Sequence, residues 1–112
     1  MTNSAKILDD VITKGEMTLN RAKYDADELG LECPVFGYGM AVYWANEVAE
    51  YSAAALEDGH KLIYVADKST ALMESLHEWN ECGWQVSGFS EVKKDYGFGR
   101  EESIKMIVLK HA

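Results

Sequence analysis

Proline is almost missing from this 112-residue chain: Pro34 is the only one. With no low-complexity run either, the composition is not that of a disordered segment. Long apolar runs are missing too. None approaches the roughly 18 residues that a membrane-spanning helix needs. The opening stretch MTNSAKILDD has no basic segment followed by an apolar block, so no secretory signal is expected. Cysteine is scarce, with only Cys33 and Cys82, which is too few for a disulfide scaffold. Reduced thiols in a cytoplasmic protein are the expectation. Bases are outnumbered, with 11 Lys and Arg against 19 Asp and Glu and a formal net charge of -8. Residues 1–60 hold eleven acids and four bases, whereas residues 61–112 hold eight and seven, so the excess belongs to the N-terminal half. That half repels duplex nucleic acid and anionic membranes and attracts a basic protein surface. The same excess also serves solubility.

The residues present suffice for one domain with a single core, 47% hydrophobic and 27% charged. Residues 1–59 read as a helical part and residues 60–112 as a β-α-β-β part. Asn3 or Ser4 can cap a first helix, whose stripe Leu8, Ile12, Gly15, Leu19, Ala22, Ala26 and Leu29 alternates spacings of four and three. Gly15 weakens that helix, and Thr18 offers a new cap, so one long helix or two pieces hinged near Gly15 are both expected. Gly30 closes it. Residues 31–39 form an extended connection around Pro34. A second helix is expected over residues 40–58, with Met40, Trp44, Val48, Tyr51 and Ala55 on one side.

The later half is more legible. Leu62 to Val65 is a β-rich run, and Asp67 to Thr70 supply caps for a helix carrying Leu72, Met73, Leu76 and Trp79. Gly83 stops that helix. Trp84 and Val86 begin a second strand, a loop runs from Lys94 to Glu101, and Ile104, Met106 and Val108 mark a third. The expected fold is α+β: a three-stranded antiparallel sheet in the order one-three-two, helices on one face, the two N-terminal helices packed as a cap.

Residues 61–110 resemble a group of small, mostly uncharacterised bacterial and phage domains. The strand Leu62 to Val65, the helix through Leu76 and Trp79, the pair Gly83-Trp84 and the strand Ile104 to Leu109 carry the resemblance. It covers under half of the chain and implies a β-α-β-β fold without enzymatic activity.

Chemical motifs are sparse. Glu74 and His77 share a helix face, but a bundle-type metal site needs a second such pair on a helix and none is expected. Cys33 becomes a candidate nucleophile only if a histidine, such as His60 or His111, lies beside it. Phe36-Gly37-Tyr38-Gly39 has the look of a phosphate-cradling turn, yet Val42 stands where a third glycine belongs. No catalytic residue, metal or cofactor is expected. Two surfaces remain. The acidic helices offer Asp25, Asp27, Glu28, Glu47, Glu50 and Asp58, whose spread carboxylates can imitate a phosphate backbone. The glycine-aromatic loop offers Tyr96, Phe98 and Arg100 for stacking or insertion into a partner's pocket. The sharp expectation is a non-enzymatic, phage-type inhibitor that docks on a nucleic-acid-handling or defence protein with a basic surface. The alternative is a nucleotide-binding protein with an aromatic pocket at Tyr38, Trp44 and Tyr96. The Leu8 to Leu29 seam and an exposed strand edge each permit a homodimer.

Overall fold

The computed structural model describes residues 14–39, 43–66 and 70–112. Leu8 and Ile12 of the expected seam, Met40 at the expected start of the second helix, and the capping residues Asp67 to Ser69 lie outside them. Helix α1 spans Lys14–Leu29, β1 Val35–Phe36, a 3-10 turn Ala45–Glu47, α2 Val48–Glu57, β2 Leu62–Val65, α3 Leu72–Glu81, β3 Trp84–Gly97 and β4 Arg100–His111. The class is α+β, as the sequence implies.

The α1 stripe is buried throughout its described length, at Gly15, Leu19, Ala22, Ala26 and Leu29. Gly15 is helical and sits where α1 crosses α2. A Cβ added there would lie 2.4 Å from the backbone oxygen of Glu50. Glycine is needed for that approach; the choice between one long helix and two pieces hinged near it turns on residues before Lys14, which lie outside those described. Thr18 lies inside the helix, buried, and caps nothing. Helices α1 and α2 end alike. Leu31 N–H reaches the Ala26 carbonyl and Gly30 N–H that of Asp27, just as His60 N–H reaches Ala55 and Gly59 N–H Leu56. Each is a six-to-one bond with a five-to-two bond inside it, made by a glycine at positive φ.

The second helix is shorter than expected. Tyr43 and Trp44 precede the 3-10 turn, and Trp44 is 55% exposed, off the buried stripe of Val48, Tyr51, Ser52 and Ala55. On α3 the buried arc runs through Ser75 and Trp79, with Leu72 and Leu76 beside it. Met73, one residue and about 100° from that arc, is exposed instead.

The sheet has four strands in the order β1-β2-β4-β3. The expected three-stranded antiparallel sheet is thus corrected to a mixed one by the short parallel edge strand β1. Val35 pairs with Tyr64 and Phe36 with Val65. Helices do not keep to one face, because cross-strand register divides the core in two. Phe36, Ile63, Val65, Ile107 and Leu109 turn one way, onto Tyr51, Ala55, Trp79 and Trp84. Val35, Tyr64, Met106, Ile104 and Val92 turn the other way, onto Ala26, Leu29 and Tyr38. Helix α1 serves both clusters, Leu19 and Ala22 in the first and Ala26 and Leu29 in the second. It thereby covers the edge at β1.

Strands β3 and β4 run far beyond β2. Only Ile107 to Lys110 of β4 pair with β2, while pairing with β3 continues to Arg100. The seven residues from Arg100 to Met106 therefore overhang by about 23 Å at the usual strand rise. This overhang goes with principal extents of 59 × 31 × 24 Å. The broad loop expected at Lys94 to Glu101 is corrected as well. Strand continues to Gly97, and Phe98 and Gly99 alone make the turn, both at positive φ (54° and 75°). A two-residue hairpin turn of type I′ demands that geometry.

Candidate functional site: an acidic trough and a hairpin tip

Close approach at Gly15 leaves a shallow trough along the seam of α1 and α2. Two adjoining hollows of about 360 and 340 Å³ share Glu16, Ala54 and Glu57. Alanines 53 and 54 form a low floor between flanking carboxylates. Lys14 and Lys23 stand at the trough as well, each tied to an acid. Lys14 pairs with Glu47 at 3.3 Å and Lys23 with Asp58 at 3.0 Å. His60 Nε2 also approaches Asp58 at 3.0 Å. The hydrogen bond from Lys23, and its charge, hold the Asp58 carboxyl below the usual carboxylate range. Glu50 and Glu57 are exposed and have no cationic partner among the described residues. Five carboxylates (Glu16, Glu47, Glu50, Glu57 and Asp58) thus face two lysines already engaged.

Not every acid expected at this surface belongs to it. Asp25 is only 2% exposed. Its carboxylate pairs with Arg21 at 3.1 Å and accepts the Gly39 N–H at 3.2 Å. It fastens the connection after β1 to α1. The Gly39 amide is therefore spent on a carboxylate, the opposite of a phosphate cradle. Asp27 and Glu28 are exposed near the C-terminal end of α1, with Glu28 3.8 Å from Lys94 of the hairpin. Glu47 is half-buried and accepts the Tyr51 hydroxyl, which itself accepts the Trp44 N–H. Burial first, and Glu47 beside it, push the Tyr51 hydroxyl above its ordinary value.

At the hairpin, Tyr96 does not stand free. Its hydroxyl donates to Glu102 at 3.0 Å, and Lys94 lies 5.7 Å over its ring. Hydrogen bonding with Tyr38, then with Glu102, pushes that hydroxyl up to about 12. Phe98 is the residue the tip displays, wholly exposed at the apex with Arg100 beside it. The aromatic pocket expected at Tyr38, Trp44 and Tyr96 is divided. Tyr38 and Tyr96 meet, whereas Trp44 lines a separate cleft of about 290 Å³ with Lys14, Met17, Thr18 and Glu47.

Trp79 and Trp84 serve the scaffold. The Trp79 indole donates to Tyr43, whose hydroxyl in turn bonds Ser75, and Trp84 donates to the buried Ser52 hydroxyl at 2.8 Å. Desolvation, then Glu32, raises the Cys33 thiol, and desolvation does the same for Cys82, which keeps both away from the thiolate form. Glu74 and His77 are exposed on α3, and the described residues contain no cluster of three or more potential metal ligands. Among the described residues no helix is long and apolar enough to cross a membrane. Comparison with protein-family models, curated proteins and solved structures finds no match to this chain.

One sign of the trough was legible beforehand, in the acids at the edge of the second helix stripe. Its position between two helices was not, because it depends on where Gly15 crosses. Glu16, absent from the expected surface, enters it only through that crossing. The burial of Asp25 could have been anticipated. It sits three residues after Ala22 on the buried arc, and four after Arg21, the spacing of an ion pair on one helix face.

Proposed function

We propose that this protein acts without catalysis, by docking its acidic helical trough onto a basic segment of a larger protein. Glu50 and Glu57 carry the reading. They are solvated carboxylates on a rigid helix, without a cation among the described residues, beside lysines already satisfied by other acids. Such a field draws in a basic partner and leaves the interior undisturbed. In its sharper form the partner is a nucleic-acid-handling or defence protein of bacterium or phage, and the carboxylates occupy the groove that a phosphate backbone would. The exposed Phe98 at the hairpin tip adds a second, apolar point of contact. The division of Tyr38 and Tyr96 from Trp44 gives the nucleotide-pocket alternative no support.

The test compares what tagged wild type and E50K/E57K retain from the source cell at low and high salt. Both side chains are exposed, so the double variant keeps its fold. A partner held by wild type near 50 mM salt and lost near 500 mM is the charge-driven one. The same partner must be lost from the variant at low salt. Identical retained proteins for wild type and variant would refute the reading.

A further inference from the structure

The open edge of β3 is a second surface, independent of the trough, and the hydrogen-bond phase of the sheet decides which backbone groups it presents. On β2, Tyr64 and Ala66 donate their N–H groups to the Pro34 and Phe36 carbonyls. The alternate residues Ile63 and Val65 therefore turn toward β4, where they meet Leu109 and Ile107. His111 N–H donates to the Lys61 carbonyl at 2.9 Å in the same phase. Odd-numbered residues of β4 thus face β2. The even-numbered Met106, Ile104 and Glu102 face β3, opposite Ser90, Val92 and Lys94. That leaves the N–H and C=O groups of Phe89, Glu91, Lys93 and Asp95 on the outer edge, with no strand against them among the described residues. From Phe89 to Asp95 the register is regular, bounded by irregularities at Val86/Gly88 and Asp95/Gly97. A straight edge of this length is a template for another strand.

We propose that this edge pairs with the same edge of a second copy of the chain, antiparallel, about a two-fold axis through Val92. Charge selects the register. An axis at Glu91 or Lys93 sets each of those charges against itself, and an axis at Lys94 sets lysine against lysine. An axis at Ser90 leaves Lys93 opposite the bulged Ser87. With the axis at Val92, an apolar side chain faces itself in a non-hydrogen-bonded pair, where side chains approach most closely. Glu91 then faces Lys93 of the second copy, and Lys93 faces its Glu91, in hydrogen-bonded pairs. Phe89 faces Asp95 in the next. Alternating charge on an edge strand blunts pairing in most registers, and here it is complementary in this one. The interface is isologous and closed, so it stops at a dimer.

The full chain is followed by sedimentation velocity over a micromolar to millimolar series. Wild type forms a reversible dimer. E91K sets lysine against Lys93 twice by symmetry, K93E sets glutamate against Glu91 twice, and each weakens association about tenfold or more. The swap E91K/K93E returns the dissociation constant to near the wild-type value. Glu91 and Lys93 are both exposed, and circular dichroism confirms that all three variants keep the fold. A monomer throughout the series, a dimer indifferent to the single reversals, or a swap that fails to restore association would each overturn the proposal. An indifferent dimer would place the contact elsewhere, such as the helical seam.

Discussion

Replacing Gly15 with alanine sets two physical effects against each other, and the structure decides the sign. Inside a helix alanine is favoured over glycine by about 1 kcal/mol, so on propensity alone G15A stabilises the protein. The new methyl, however, would lie 2.4 Å from the Glu50 oxygen and 2.9 Å from its carbonyl carbon. Both are backbone atoms of α2, and no side-chain rotation relieves the contact. The helices must part by roughly 1 Å where they cross, in a core packed at close to crystalline density. Overpacking of this kind costs about 1 to 3 kcal/mol, and parting also loosens Leu19 and Ala22 against Tyr51 and Ala55 in the first core cluster. Against the propensity gain the net expectation is a loss of up to about 2 kcal/mol. For a domain of this size that lowers Tm by up to about 8 °C. N20A is the control, because Asn20 faces solvent on the same helix and gains propensity without a clash. Thermal and urea unfolding followed by circular dichroism measure both variants. A rise in Tm for G15A equal to that for N20A would refute the reasoning, leaving Gly15 as no more than a poor helix residue.

F98N should stabilise the hairpin by about 1 kcal/mol, since a non-glycine residue in the left-handed region is strained and asparagine tolerates it. No burial is lost, because the ring is wholly exposed. Unfolding midpoints and amide exchange along β3 and β4 measure the gain, and an unchanged or weaker hairpin would count against the turn. Asp58 supplies a pH dependence. Its folded-state pKa is depressed by Lys23, so its contribution is fully present above the unfolded value near 4 and is lost as pH falls through the lower folded value. The urea midpoint of wild type should therefore exceed that of D58N at neutral pH and converge with it toward pH 2. A gap that ignores pH would mean that the Lys23 contact contributes nothing.

Local chemistry and periodicity alone carried much of the fold. The buried stripe of α1, the glycine ends of α1 and α2, strand β2, helix α3 with Trp79, the Gly83-Trp84 corner and the apolar end of β4 are all readable by counting residues. They are short-range features, each with its own residue signature. Strand β1 was not readable. Two residues carry no period, and Val35 and Phe36 become a strand only because the edge of β2 offers Tyr64 and Ala66 as donors. The hairpin's length was hidden for the opposite reason. Ser87 to Asp95 is too polar to look like a strand, and Phe98-Gly99 is not the Asn-Gly signature of a tight turn, so the ladder with β4 had to supply the order.

The candidate surfaces divide in the same way. Composition by itself placed the acid excess in the N-terminal half and so set the sign of the field a partner meets, because charge adds without regard to fold. Which acids share a trough, which are occupied by Lys14 or Lys23, and which, like Asp25, are buried follow from the crossing of α1 and α2. The edge of β3 is more dependent still. Glu91, Val92 and Lys93 are ordinary residues in sequence, and only the phase of hydrogen bonds carried across three neighbouring strands turns their backbone outward or inward.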